Sequence, residues 1–231
     1  MQNTESYNQR LFSKGIRKSM HMARFNWLQK RVSEISLNQF KVVELGCFDG
    51  RALSYLPAKI ESYDGFDANW ENGLDQAKLD WGKENIRFHQ CTEVDHFTCN
   101  DSFNLFISLE TLEHLPPSEM GNYLNYVHKN ITKNGYLFIS VPNEIGILFV
   151  AKQIYKKIFL QDELGYSLKE FFFQAIGRVD KVSRNEHKGF SYKQFKNTLE
   201  TDFEIKRCEG LQWRFIPKFL NISIGFICVK K

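Results

Sequence analysis

The sequence has little of what would place a protein in a membrane or in an oxidising compartment. Its 231 residues include no run of about 18 or more apolar residues, the length that crosses a bilayer as a helix. The opening MQNTESYNQR lacks the apolar segment of a signal peptide. No C-x-x-C pair occurs among the five cysteines, which are Cys47, Cys91, Cys99, Cys208 and Cys228. An odd, scattered set argues against a disulfide framework or a zinc site, so we expect a cytoplasmic protein with reduced thiols.

A strong overall charge is also absent, because the net charge is only +4. The charge is unevenly spread, since residues 1–31 hold seven basic residues and one acidic residue. Such a segment can contact phosphate groups or an anionic membrane, and a solvated helix face is the ordinary alternative. We predict a basic helical segment over residues 1–38.

Strand-like and helical patterns alternate along the chain. The predicted strands are 41–46, 62–67, 86–90, 103–109, 135–141, 203–207 and 222–229. The predicted helices between the first five are 51–56, 72–81 and 118–130, with Gly135 expected to cap the last of them. This alternation predicts one α/β domain over 1–231, a doubly wound sheet with helices on both faces. An aromatic-rich helical insertion at 144–185 is expected to lie as a lid over the ligand-binding edge of the sheet.

The stretch V-V-E-L-G-C-F-D-G-R-A-L, residues 42–53, has the outline of a strand, a tight turn and a helix. Phe48 stands where a dinucleotide-binding turn has its middle glycine. Glu44 and Asp49 would repel a pyrophosphate, but they suit the amine and sulfonium of S-adenosylmethionine. Asp67 ends the second strand and can accept hydrogen bonds from a ribose, a feature that NAD-binding proteins share.

Two further motifs, I-R-F-H-Q-C-T-E and S-F-N-L-F-I-S-L-E-T-L-E-H-L-P, follow in order. From about Lys41 to Val141 the chain resembles class I S-adenosylmethionine-dependent methyltransferases of the type 11/12 group. The resemblance implies a Rossmann-like, seven-stranded, mostly parallel sheet with an antiparallel last strand. It also implies that the cofactor is held by Glu44, Gly46, Cys47, Gly50, Asp67, Ala68, Thr92, Glu93, Ser108 and Leu109. Thr92 departs from the family's usual Asp, and Phe103-Asn104 departs from its F-D.

Glu110, Glu113 and His114 follow the fourth strand, and their spacing predicts that they share one face of a helix. The segment resembles the E-x-x-E-H helix of ubiquinone-pathway O-methyltransferases and small-RNA 2′-O-methyltransferases, which holds a divalent metal. That resemblance implies a Mg²⁺ or Mn²⁺ site formed by Glu110, Glu113, His114 and His187. The alternative is a metal-free site in which His114, with Glu113 beside it, is the general base.

The expected reaction is O-methylation of a small-molecule hydroxyl on a sugar, a quinone-like or a lipid-linked acceptor. Methylation of RNA is an alternative, although nothing in the sequence marks an RNA-binding module. A nicotinamide-dependent oxidoreductase would need the glycine that Phe48 replaces, and a non-catalytic cofactor-binding protein could share the fold. The segment 144–185 is either a lid packed on the domain or an amphipathic segment in peripheral contact with a membrane. The sequence does not indicate the oligomeric state.

Overall fold

The computed structural model describes residues 15–99, 101–160, 165–213 and 215–231. Its strands are β1 Phe40–Leu45, β2 Ile60–Asp67, β3 Ile86–Gln90, β4 Phe103–Leu109, β5 Ile131–Pro142, β6 Phe203–Gly210 and β7 Ser223–Lys230. They form one sheet in the order β3-β2-β1-β4-β5-β7-β6. The first five strands are parallel, whereas β7 is antiparallel to both β5 and β6. The predicted mostly parallel seven-stranded sheet is confirmed.

The helices are α1 Gly15–Val32, α2 Gly73–Trp81, α3 Pro117–Asn130, α4 Gly146–Tyr155, α5 Leu168–Ala175 and α6 Tyr192–Asp202. A π-helical turn, Lys156–Leu160, extends α4. Short 3₁₀ turns lie at Arg51–Tyr55, Val94–His96, Leu112–His114, Val179–Lys181 and Lys218–Leu220. The helix predicted at 51–56 is therefore a 3₁₀ turn.

Both faces of the sheet are covered by apolar layers. On one face, α3 and α6 contribute Tyr123, Val127 and Phe195 to a core with the inward side chains of β4, β5 and β7. On the other face, α1 and α2 contribute Trp27 and Leu74 to a core with the opposite side chains of β1, β2 and β4. Burial on both sides explains why the central strands are almost continuously apolar in sequence.

The prediction that Gly135 caps a helix is wrong. Helix α3 ends at Asn130, and β5 begins at once with Ile131, so that Gly135 lies inside the strand. A Cβ atom on Gly135 would lie 2.5 Å from Cγ1 of Ile131. The glycine is therefore needed because the buried Ile131 side chain occupies that space.

Helix α1 forms part of the predicted basic segment 1–38, of which residues 1–14 lie outside the described residues. The helix is anchored far along the chain, because Trp27 Nε1 donates to Glu209 Oε1 at 2.7 Å and Arg31 Nε donates to the same oxygen at 2.6 Å. Among the described residues, no helix is both long enough and apolar enough to cross a membrane.

The segment 144–185 contains α4, the π-helical turn and α5, and its residues 161–164 lie outside the described part of the chain. Helix α4 packs against α5 and against the Lys218–Leu220 turn. Gln174 on α5 donates through Nε2 to the Glu144 carbonyl at 2.6 Å and to the Phe190 carbonyl at 3.0 Å. Its movement as a lid stays a prediction.

Candidate active site

A cavity of about 330 Å³ lies at the carboxyl ends of β1 and β4, where the strand order reverses direction. Small-molecule sites usually have volumes of about 300–1,000 Å³. The predicted cofactor residues that line the cavity are Glu44, Gly46, Cys47, Asp67, Ala68, Thr92 and Leu109. Gly50, Glu93 and Ser108 were predicted with them but do not contribute to its walls. Ser108 is fully buried within β4, and Glu93 is exposed.

The turn after β1 is fixed by the neighbouring strand. The backbone N–H groups of Gly46 and Cys47 both donate to the Phe66 carbonyl, at 2.7 and 3.1 Å. Gly50 has a left-handed backbone with φ of 69°, and a Cβ there would lie 3.0 Å from the rings of Phe88 and Trp81. Gly50 therefore lets the turn pack closely against Phe88 and Trp81, behind the cavity. For this reason Gly50 does not line the cavity wall.

Phe48 fits the turn because its ring packs on helix α2. A Cβ on Gly73, the first residue of α2, would lie 2.4 Å from Phe48 Cδ2. The backbone N–H of Phe48 donates to Asp67 Oδ2 at 2.9 Å. Phe48 thus stands where a dinucleotide-binding turn has a glycine, and its backbone N–H still orients Asp67 on the cavity wall.

Asp67 is held in place from two sides. Its Oδ2 accepts from Phe48, and its Oδ1 accepts from the N–H of Asn69 at 2.8 Å. A carboxylate has about four lone-pair sites, so each oxygen can accept one further hydrogen bond. Burial raises the pKa of Asp67, while the two amide donors oppose that shift. The group is a fixed acceptor on the cavity wall, suited to a pair of hydroxyls.

Glu44 is a buried acid, with 2 % of its surface exposed. Its Oε2 accepts a hydrogen bond from the Tyr63 hydroxyl at 2.5 Å. Burial raises the pKa of Glu44 to about 8, and the neighbouring acids Asp49 and Asp67 add to the rise. Glu44 is therefore mostly protonated at pH 7 in the absence of a ligand cation.

The predicted arrangement of Glu110, Glu113 and His114 on one α-helical face is wrong. Glu110 has a left-handed backbone with φ of 58°, and only Leu112–His114 form a single 3₁₀ turn. The N–H of Glu110 donates to the Ser140 carbonyl on β5 at 2.9 Å, which extends the β4–β5 pairing by one residue. This bond keeps Glu110 with the sheet and delays the helical turn.

Three of the four predicted metal ligands still converge. One ligand atom from each of Glu113, His114 and His187 lies within 4.8 Å of the other two. The two imidazole rings are 4.5 Å apart, centroid to centroid. Glu110 is not a member of this group, and its buried carboxyl faces the charges of Arg24 and Lys152. Of the four predicted metal ligands, only Glu113, His114 and His187 therefore lie close enough together to bind one ion.

The chemistry of these three groups fits a cation or a proton donor. Glu113 is completely buried, and neither carboxylate oxygen has a hydrogen-bond partner among the described residues. Nδ1 of His187 is also buried without one. Burial lowers the pKa of His114 and lowers that of His187 to about 3, so both rings are neutral at pH 7. Neutral imidazole is the form that accepts a proton or binds a metal.

Several residues of the site were not predicted. Arg24 of α1 lines the cavity, and its charge faces Glu110, Glu113 and Glu44. Glu144 is buried, pairs with Lys152, and places Oε1 at 3.6 Å from His187 Nδ1. Glu144 did carry a signal, since an acid two residues past the buried strand β5 falls at the ligand-binding edge of the sheet.

The sequence matches a family model described as a methyltransferase domain over residues 9–185, which is well over half of the chain. The chain belongs to this methyltransferase family. The prediction of a class I S-adenosylmethionine-dependent methyltransferase is confirmed. No curated protein matches the sequence of this methyltransferase.

Solved structures share the fold of the methyltransferase across nearly its whole length. A S-adenosylmethionine-dependent methyltransferase from Clostridium acetobutylicum has a TM-score of 0.67 at 12% identity, covering 97% of this chain and 98% of its own. The N-methyltransferase NodS from Bradyrhizobium japonicum has a TM-score of 0.63 at 12% identity, with coverages of 99% and 93%. Magnesium protoporphyrin IX methyltransferase from Synechocystis has a TM-score of 0.61 at 16% identity, with coverages of 96% and 92%. Identities this low show the common fold and leave the acceptor open.

Proposed function

We propose that this methyltransferase transfers the methyl group of S-adenosylmethionine to a hydroxyl group of a small molecule. The acceptor is a sugar, a quinone-like compound or a lipid-linked compound. The observation that carries the proposal is the pair of neutral rings of His114 and His187 beside the buried carboxyl of Glu113, whose pKa is raised well above its ordinary value by burial and by the neighbouring Glu110. A neutral imidazole that faces the acceptor suits a substrate that must lose a proton. An amine acceptor that is already neutral would not need it. From the reduced, scattered cysteines we infer a cytoplasmic location.

The side chains that line the cavity include a suitable partner for the ribose, the adenine and the amine of the cofactor. Asp67 can accept from the two ribose hydroxyls, and Thr92 can accept from the adenine amino group. Glu44 supplies a negative charge for the methionine amine once it loses its proton. With those ends bound as proposed, Glu110, Thr111 and His114 would form the wall next to the sulfonium methyl.

Methyl transfer then needs alignment of the acceptor and removal of its proton. His114 lines the cavity and is neutral, so it can take that proton directly. Glu113, His114 and His187 also have the donor types and the unpartnered atoms to hold Mg²⁺ or Mn²⁺. When bound there, such an ion would lower the pKa of an acceptor hydroxyl.

The direct test is a labelled-methyl transfer assay on fractionated small molecules, lipids and RNA, with and without added divalent metal. We expect label in an acid- and base-stable ether of a small-molecule or lipid fraction. Label in the RNA fraction would contradict a small-molecule acceptor and support RNA methylation instead. Label on a nitrogen atom would contradict O-methylation. Label in no fraction, with S-adenosylhomocysteine still bound, would favour a non-catalytic cofactor-binding protein.

Replacing Asp67 by alanine is expected to weaken the binding of S-adenosylhomocysteine by about 1–3 kcal/mol, because two buried ribose hydroxyls lose their acceptor. Calorimetry on the purified protein measures the change. Asp64→Ala is the matched control, since Asp64 lies on the same strand but pairs with Arg87 and His89 away from the cavity. Unchanged affinity in Asp67→Ala would show that the ribose binds elsewhere.

Binding of S-adenosylmethionine at pH 7 is expected to release a proton from Glu44. Its pKa of about 8 lies above the ordinary value, so the free carboxyl is mostly protonated, and a ligand amine beside it lowers that pKa. Affinity should therefore rise as the pH increases toward 8 and fall again at higher pH, where the ligand ammonium loses its proton. Among the groups that face Glu44, Asp49 and Asp67 oppose its charge, whereas the Tyr63 hydroxyl and Arg24 favour it.

The proton count is obtained by calorimetry in buffers with different ionisation enthalpies. We expect approximately one proton released by the wild type and none by Glu44→Gln, which keeps the shape of the side chain. Methylthioadenosine, which lacks the amino-acid part, should release none from either protein. Equal release with methylthioadenosine would mean that Glu44 does not face the amine.

A further inference from the structure

Most of the exposed large apolar side chains lie in two segments of the chain. Of the thirteen large apolar side chains that are exposed among the described residues, only Trp70 and Leu79 lie outside the segments 147–176 and 213–219. Scattered surface hydrophobic residues are ordinary, whereas a contiguous group of this kind marks an interaction site.

Helix α4 and its π-helical extension present a regular apolar stripe to solvent. Ile147, Ile154 and Ile158 are 66%, 50% and 63% exposed and follow each other at seven and four residues, the spacing of one helical face. The opposite face is buried, with Phe149 at 0% and Gln153 at 5%. The helix is therefore fully docked on the domain by one face and leaves a second apolar face without a partner among the described residues.

The loop before β7 extends this surface. Trp213, Phe215 and Phe219 are 46%, 103% and 54% exposed. The loop adjoins α4, because Asn143 Nδ2 donates to the Phe219 carbonyl at 3.0 Å and α4 packs against Lys218–Leu220. We call the exposed side of α4 with its extension, together with Trp213 and residues 215–219 of the loop, the α4–loop face.

The charges on this face have one sign. Residues 145–160 contain Lys152, Lys156 and Lys157 and no acid, and residues 215–221 contain Lys218 and no acid. Lys152 pairs with Glu144, so Lys156, Lys157 and Lys218 supply the positive charge of the face. Helix α1, from the basic N-terminal segment, lies beside the loop, since Gln212 Nε2 donates to the Met20 carbonyl at 3.4 Å. A second copy of the chain docked here would bring like charges together. An anionic surface would complement them.

We propose that the α4–loop face binds the surface of an anionic phospholipid bilayer. Its isoleucines and aromatic rings would enter the interfacial region while the lysines contact the headgroup phosphates, as in interfacial amphipathic helices. Helix α4 begins two residues after Glu144, whose carboxylate lies 3.6 Å from His187. Docking would thus bring the acceptor side of the site close to the lipid, and this consequence alone rests on the proposed function.

Vesicle flotation of the full chain, without cofactor or acceptor, tests the docking separately from catalysis. We expect binding to phosphatidylcholine vesicles that contain about 30 % phosphatidylglycerol, weak binding to phosphatidylcholine alone, and release by salt. Lys156→Gln and Lys157→Gln should each reduce the partition coefficient about fivefold. Phe215→Ser combined with Ile158→Ser should reduce it about tenfold or more, and both side chains are exposed enough for the fold to tolerate the change.

The matched controls lie on α2 and just after it, next to the β3 edge of the sheet. Leu79→Ser removes a side chain that is 82% exposed, and Lys78→Gln with Lys83→Gln removes two exposed charges, so all three should leave binding unchanged. Brominated lipids should quench Trp213, and the quenching should be lost in Trp213→Phe. Failure to bind anionic vesicles, or equal losses in these controls, would overturn the proposal. A dimer that dissociates on Phe215→Ser would also overturn it, by assigning the face to self-association.

Discussion

Replacement of His114 by alanine is expected to slow methyl transfer by roughly 10²–10⁴-fold, the usual contribution of a positioned general base. His114 lines the cavity beside the expected position of the methyl group, and burial lowers its pKa, so that the ring is neutral and able to accept a proton. The Kd for S-adenosylhomocysteine should change by less than about twofold, because no cofactor contact requires this ring. Transfer of labelled methyl to the acceptor fraction and calorimetry together measure both quantities.

His96→Ala is the control for the removal of an imidazole, since His96 is exposed on the 3₁₀ turn Val94–His96, outside the cavity wall. It should keep full activity. His114→Ala with more than about a tenth of wild-type activity would exclude His114 as base and as ligand.

Chelation and the variant His187→Ala distinguish a metal-dependent site from one in which His114 acts as the base without a metal. If Glu113, His114 and His187 hold an ion, chelation should abolish transfer but leave cofactor binding intact, because the cofactor walls do not include Glu113 or His187. His187→Ala should then require more Mn²⁺ for the same rate. If chelated enzyme retains full activity, the three-residue site works without metal and His114 is the base.

The features that the sequence predicted well are encoded over short distances. The strand, turn and acid pattern from Val42 to Asp67 involves two adjacent parallel strands, so its spacing alone places Gly46 beside Phe66 and Asp67 beside Phe48. The alternation of strands and helices was likewise sufficient for the sheet. Local chemistry and chain order carried that part of the prediction, whereas the antiparallel last strand was implied by the family resemblance.

The features that were missed depend on tertiary contacts. Glu110 leaves the helical geometry because its N–H pairs with Ser140 on β5, a bond that spacing along β4 does not reveal. Arg24 reaches the cavity only because α1 is anchored through Glu209, which follows Trp27 by 182 residues. Glu144 meets His187 through the packing of the 144–185 segment. Charged residues from distant parts of the chain thus complete the site. The residues predicted to bind the cofactor, in contrast, come mainly from neighbouring strands near one another in sequence.

Gly46→Ala is expected to lower the free energy of unfolding by roughly 2–5 kcal/mol, a large share of a domain's stability. Its φ of 80° is unfavourable for an L side chain, which costs about 1–2 kcal/mol. A Cβ there would also lie 2.0 Å from Thr111 Oγ1, and such overpacking costs about 1–3 kcal/mol. Because the His114 N–H donates to the Thr111 carbonyl at 3.0 Å, displacement of Thr111 should also shift His114 and slow transfer.

Two other glycines separate these contributions in urea unfolding experiments. Gly146 has φ of 77° with no atom within 4 Å of the position that a Cβ would take, so Gly146→Ala should show the backbone strain alone, about 1–2 kcal/mol. Gly121 lies in α3 with no such strain and no atom within 4 Å, so Gly121→Ala should stabilise the protein by about 0.5–1 kcal/mol. Only Gly46→Ala should also impair binding of S-adenosylhomocysteine, because only Gly46 of the three lines the cavity. If Gly46→Ala destabilises no more than Gly146→Ala, the close approach of Thr111 to the cofactor turn is wrong, and with it the placement of His114 beside the methyl group.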